Sequence, residues 1–250
     1  MKLEKYSFGM GDRFLHQGVA QLQAIMKAKK AGIDVTPVWN KSNREHEIVG
    51  TEPLSLREEA DAAVEALGWS GSYRVDADHI NLGNVEGFIH CSDFFTIDVG
   101  DAIGEAAADL DIAAFVLRHS RFIGERARPG AGSFDDTEET RETVAGTCLK
   151  AGQQAGVIYR HIVEQRGPDF IPEVSMDETE NPQTPLEMFF ILAMIADEGI
   201  PAQTIAPTFT GRVNKGVDYV VDIDQFENEF NDDLAAIAFA IKEVSLPDYV

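Results

Sequence analysis

Residues 75–81 read Val-Asp-Ala-Asp-His-Ile-Asn, which puts Asp76, Asp78 and His79 within four positions. The run sits where a β-rich stretch gives way to a polar loop. Side chains alternate along a strand, so Asp76 and Asp78 share one face, and His79 must turn with the loop to join them. An imidazole nitrogen beside carboxylate oxygens suits a borderline divalent ion such as Zn²⁺, Mn²⁺, Co²⁺ or Ni²⁺. A solvated turn with an aspartate capping the next helix is the plainer alternative, but a cap needs fewer ionisable groups. A second cluster, Ser175-Met176-Asp177-Glu178-Thr179-Glu180, offers a further metal ligand or a general acid. Burial and like charge raise a carboxyl pKa at such a place. An acidic loop is equally open in a chain with 43 Asp and Glu. A third cluster, residues 40–46, carries Lys41, Asn43 and Arg44, and residues 210–216 carry Arg212 and Lys215. Cations grouped after strands in an acidic chain read as receptors for a small carboxylate or phosphate. Surface loops with ordinary ion pairs are the alternative. His16 could face either the mouth or the body of the protein. His90, His119 and His161 lack convergent partners in the sequence, and Cys91 reads as a buried small residue rather than a nucleophile.

The chain has 250 residues, with 21 Lys and Arg against 43 Asp and Glu, a formal net charge of −22. That charge repels phosphate backbones and anionic headgroups, so nucleic acid and membrane surfaces are excluded as partners. Hydrophobic residues make up 44% of the chain, too many for disorder. Two cysteines make neither a disulfide framework nor a metal knuckle. No apolar run reaches the ~18–20 residues that span a bilayer, and the first residues lack the apolar segment of a secretory signal. A cytoplasmic location is therefore expected.

The elements that must position these clusters alternate. Strands are expected at 5–9, 34–39, 72–77, 94–99, 170–176 and 202–206. Helices are expected at 14–31, 56–67, 185–198 and 225–244. Residues 40–50 read as a polar loop, and 101–166 as a mostly helical insertion interrupted at 128–133. Alternation at this spacing argues for a parallel α/β sheet. Gly9-Met10-Gly11-Asp12-Arg13 lacks the third glycine of a dinucleotide fingerprint. Polar clusters after nearly every strand fit a (β/α)₈ TIM-barrel type. With six strands rather than eight, the expectation is a single barrel-type catalytic domain over 1–250 that lacks its C-terminal strands. Open edge strands would favour association into oligomers.

The stretches 11–18 (GDRFLHQG), 37–46 (PVWNKSNREH), 75–82 (VDADHINL), 92–100 (SDFFTIDVG), 174–192 (VSMDETENPQTPLEMFFIL) and 204–220 (TIAPTFTGRVNKGVDYV) resemble the tagaturonate epimerase family. The resemblance implies a metal-dependent barrel enzyme that interconverts tagaturonate and fructuronate. It also implies His79 as a metal ligand, Asp78 as proton acceptor and Glu178 as proton donor. Asp177 and Glu180 compete for the donor's role. The substrate would be a small ketohexuronate whose carboxylate is held by Lys41 or Arg44 with Arg212 or Lys215. A retro-aldol cleavage and re-addition, or direct proton exchange, would invert the one differing centre. A metal-dependent isomerase or aldolase acting on another ketose is the alternative within enzymes. A non-catalytic sugar-acid binder is the alternative outside them.

Overall fold

The computed structural model describes residues 1–122, 124–127, 133–176, 182–211, 217–244 and 246–247. Six strands make one parallel sheet: β1 (Ser7–Gly11), β2 (Thr36–Ser42), β3 (Arg74–Ile80), β4 (Phe94–Asp98), β7 (Ile171–Ser175) and β8 (Thr204–Ala206). Their order is β1-β2-β3-β4-β7-β8. Each strand lies beside its predecessor in the sheet, with no reversal of direction along the order. A doubly wound sheet reverses at a switch point, so this is the strand order of a (β/α)₈ barrel with six of its eight positions filled. The fold class expected from the sequence therefore holds.

Three local readings are corrected. Residues 40–50 are not a loop throughout, because β2 runs to Ser42 and helix α2 (Asn43–Val49) follows at once. The Ser42 side chain accepts from the Glu45 N–H at 3.4 Å, and Gly50 closes the helix at φ 69°. The first helix, α1 (Gly18–Lys30), starts later than expected. Asp12 holds the preceding turn by accepting from the N–H groups of Phe14, His16 and Gln17 at 3.0, 2.6 and 2.8 Å. Within 101–166 the insertion comprises α4 (Asp109–Arg118), a hairpin of β5 (Gly124–Ala127) and β6 (Ser133–Asp136), and α5 (Glu138–Arg166). The hairpin is antiparallel and forms its own sheet, so it adds no strand to the six.

The chain divides into two compact units, one holding residues 1–98 and 158–174 and the other 99–157 and 175–249. In the first, Met10, Trp39 and Val75 of β1–β3 pack on Leu22 and Ile25 of α1 and on Leu56, Ala60 and Ala63 of helix α3 (Leu54–Leu67). In the second, helix α6 (Pro185–Asp197) buries every residue from 188 to 195. Such an all-round apolar helix belongs inside a core, and a Thr184–Glu187 capping box starts it. Phe122 packs there against Phe189 and against Phe239 of helix α7 (Ile223–Val244). Among the described residues no helix is long and apolar enough to cross a membrane.

Candidate active site

The parallel register sorts the strand residues onto two faces. Val38, Asn40 and Ser42 of β2 stand beside Arg74, Asp76 and Asp78 of β3, and Asp76 stands beside Phe94 of β4. On this face, near the strand starts, Val38, Phe94 and Ile171 pack together with Leu3. Two residues further along come Asn40, Asp76, Thr96 and Glu173. Two further again come Ser42, Asp78, Asp98 and Ser175. Along β2, β4 and β7 polarity thus rises toward the C-terminal end, the end at which barrel enzymes place their chemistry, whereas β3 opens with Arg74. The opposite face carries Trp39 and Val75 and packs on α1 and α3.

In the middle layer, Thr96 Oγ1 lies 3.1 and 3.0 Å from the two carboxyl oxygens of Asp76 and 3.2 Å from Oε1 of Glu173. Burial raises the Asp76 carboxyl well above its ordinary range. The charges of Asp78 and Glu173 add to the rise, and the Thr96 hydrogen bond opposes it.

In the upper layer the backbone departs from strand geometry. Strict alternation would put His79 on the helix-facing side with Ala77. Instead the β3–β4 register shifts between Ala77 and Ile80, and His79 adopts a left-handed φ of 52°. A bulge of this kind re-aims a side chain, at a cost of about 1–3 kcal/mol for a non-glycine residue. The result is His79 Nδ1 at 3.1 Å from Asp98 Oδ2, with Nε2 at 3.8 Å from Asp78 Oδ1. The loop beyond is pinned by Asn84, whose Oδ1 accepts from the Asn81 N–H at 2.8 Å. A carboxylate on one ring nitrogen fixes the imidazole's orientation and tautomer. His79 is thus a suitable nitrogen donor to a divalent ion. Among the described residues, though, no three His, Cys, Asp or Glu side chains are arranged to hold one.

The other residues singled out in the sequence part company. Lys41 shares the helix-facing side with Trp39. It is fully buried, donating to the Arg13 carbonyl at 2.7 Å and to Thr51 Oγ1 at 3.0 Å. Its ammonium is engaged on the helix-facing side of β2. Burial lowers its pKa, partly offset by Glu45 and Asp12. Asn43 is half-buried and donates to Glu47 at 2.7 Å, while Arg44 is exposed. Asp177, Glu178, Glu180, Arg212 and Lys215 lie outside the described residues. Cys91 is buried with its thiol pushed up by desolvation, as expected of an inert residue. His119 is buried and bonds Asp197 at 3.0 Å, and His161 bonds Glu86 at 2.6 Å.

Asp98, Thr96 and Glu173 were not singled out from the sequence. The alternation Phe94-Thr96-Asp98 and Ile171-Glu173-Ser175, apolar then polar along one face, was the available signal.

Residues 1–243 match the model of a family described as tagaturonate epimerase. A tagaturonate/fructuronate epimerase of Thermotoga maritima is 28% identical over 239 residues, covering 89% of this chain and 48% of that protein. Crystal structures of a fructuronate-tagaturonate epimerase from Cohnella laeviribosi, one glycerol-complexed and one native, each superpose with TM-score 0.80. Their identities are 21% and 22%, over 96% of this chain and 51% of theirs, a likeness of fold. The chain spans about half the length of these relatives.

Proposed function

The chain belongs to the tagaturonate epimerase family, and on that premise we propose that it carries the β3–β4–β7 wall of a site that interconverts tagaturonate and fructuronate. The observation that supports the reading is the convergence of Asp78, His79 and Asp98 at the C-terminal ends of two adjacent strands. Asp98 orients the His79 imidazole, and His79 serves as one ligand of a divalent ion. Such an ion would supply a Lewis acid for the ketone and its neighbouring hydroxyl.

The two ketohexuronates differ at a carbon β to the ketone, whose C–H the carbonyl does not acidify directly. Asp78 takes the proton of the hydroxyl on that carbon as the adjoining C–C bond breaks. The aldehyde half turns, and the bond re-forms with the proton returned. In the direct-exchange version, Asp78 removes the proton from one face and Glu178 delivers one to the other. Arg44, Arg212 or Lys215, with Asn43, hold the carboxylate. Lys41, enclosed in the wall, is left out of that set.

The test uses the protein as it is naturally produced. It should convert each uronate into the other and leave uncharged ketoses untouched. Metal analysis of His79→Ala should show occupancy reduced at least tenfold, because one nitrogen donor is gone. Full metal content in His79→Ala would remove the β3 loop from the metal site, and conversion of neutral ketoses at equal rate would overturn the uronate assignment.

A further inference from the structure

Beyond Ser7, strand β1 turns no side chain toward the inner face. Its register with β2 pairs Gly9 with Val38 and Gly11 with Asn40, so both glycines share the face that carries Asp76 and Asp78. Met10, between them, packs on the helix side. Neither glycine is among those at positive φ, so the backbone here is one that any residue adopts. Glycine in a strand gives up packing and β-propensity. Where conformation does not demand it, it marks a place that another group approaches closely. Around Gly9 that place is open: a Cβ there would meet nothing within 4 Å among the described residues. Gly11 is also exposed, and its Cβ would stand 3.4 Å from Oδ1 of Asn40.

The Asn40 amide is the polar group beside this opening. Its Oδ1 is buried without a hydrogen-bond donor, and among the described residues no hydrogen bond holds the amide where it lies. A buried acceptor left unpaired is unfavourable. Rotation about the last side-chain bond brings Oδ1 out to a hydroxyl, and the same amide has N–H groups to donate. In register Asn40 stands beside Asp76, and Ser42, two residues on, beside Asp78. Two strand residues span about 6.6 Å, within the reach of a six-carbon chain whose reacting carbon lies at Asp78.

We propose that the bare backbone of Gly9 and Gly11, with the Asn40 amide beside it, is a subsite for an unreactive stretch of the substrate. A carbon bearing a hydroxyl lays its C–H side on the glycines and its hydroxyl on Asn40. The inference rests on the epimerase reading and extends it from the reacting centre to the rest of the substrate. Asn40 is a binding residue here and takes no part in bond making. An interaction made equally with substrate and transition state shows in KM and leaves kcat alone. A sugar acid or a polyol of similar length matches these groups, whereas an apolar ligand would leave the amide unpaired.

Substitutions in the protein as it is naturally produced test the subsite, read with tagaturonate as substrate and by urea unfolding. Asn40→Ala should raise KM about tenfold at unchanged kcat, the loss expected for one hydrogen bond. Gly9→Val and Gly11→Ala fill the opening, and each should raise KM by about tenfold or more. Both should also raise the midpoint of urea unfolding or leave it unchanged, because a side chain replaces glycine at ordinary φ in a strand. A glycine kept for packing alone gives the opposite result, a lower midpoint with KM unaltered. Unaltered KM in Asn40→Ala, or in both glycine variants, would overturn the subsite and leave the epimerase reading in place. An unsubstituted protein that neither binds nor converts tagaturonate would overturn that reading, and the subsite with it. Should Gly9→Val fail to fold, Gly9→Ala decides it, since its single methyl meets nothing within 4 Å among the described residues.

Discussion

Lys41 and Asp78 lie one register step apart on neighbouring strands. Lys41 stands beside Ala77, and Ser42 beside Asp78. That single step sends one charge into the wall and the other to the strand-end site. On the wall side, Lys41 Nζ, Thr51 Oγ1 and His46 Nδ1 form a chain of hydrogen bonds, 3.0 and 2.9 Å long. The cation there is held by a backbone carbonyl and a hydroxyl, which take two of its three N–H donors. On the inner side, Asp76, Asp78, Asp98 and Glu173 gather like charge near the strand ends. Placing carboxylates together is expensive unless protons or cations join them. The difference teaches that a charge in a sequence cluster belongs to the site or to the wall according to the face of the strand on which the register puts it.

The largest effect that would sharpen this contrast falls on turnover. In the full-length protein, Asp78→Asn should lower the rate of uronate interconversion by ~10²–10⁴-fold, because an amide keeps the shape but cannot take up a proton at neutral pH. Its midpoint of urea unfolding should stay where it was. A variant that keeps near-normal turnover would make Asp78 a member of the wall in all but position, and Asp76 would become the next candidate base.

Much of the architecture could be read from alternation alone. The six strands, their parallel pairing and the barrel-type order follow from β-rich runs separated by amphipathic helices, and all six are found within two to three residues of their expected places. The convergence of Asp78 and His79 was also legible, although the bulge that accomplishes it was not. Nothing in Val-Asp-Ala-Asp-His specifies a left-handed φ at a histidine, because that conformation is imposed by the pairing with β4. Asp98 stayed hidden for the same reason: its role depends on where a residue 19 positions earlier is turned. The placement of Lys41 was not legible because residues 40–50, read as one loop, straddle a strand end. Alternation within residues 39–42 would have put Lys41 with Trp39, on the buried side.

Acid unfolding probes the wall side. Burial, with the nearby Lys41 charge adding to it and Glu45 opposing, lowers the His46 pKa from 6.5 to about 4. A histidine depressed in the folded state contributes stability that is complete above 6.5 and is lost as pH falls through the folded value. Between pH 7 and pH 4 this group alone should withdraw about 3 kcal/mol. His46→Gln keeps a hydrogen-bonding side chain without a titrating ring, so its unfolding free energy should be flatter over that interval by the same amount. Equal slopes for the two proteins would mean that His46 is protonated or solvated in the folded state, and the chain through Thr51 would not exist.

Lys41→Met isolates the smallest effect and tests the contrast most directly. Methionine fills the space of the lysine stem but leaves the Arg13 carbonyl without its donor, while Thr51 keeps His46 as a partner. Losing a charged hydrogen bond to a buried acceptor costs about 2 kcal/mol, to be read as a lower midpoint in urea at unchanged slope. Uronate affinity in the full-length protein should be unaltered, since no part of Lys41 reaches the inner face. Arg44→Ala, one turn of chain away and exposed, is the matched control and should change stability by less than ~0.5 kcal/mol. If Lys41→Met proved as stable as the unsubstituted protein but bound uronates more weakly, the ammonium would belong to the substrate. The side of β2 on which it lies would then be the wrong criterion for telling the two regions apart.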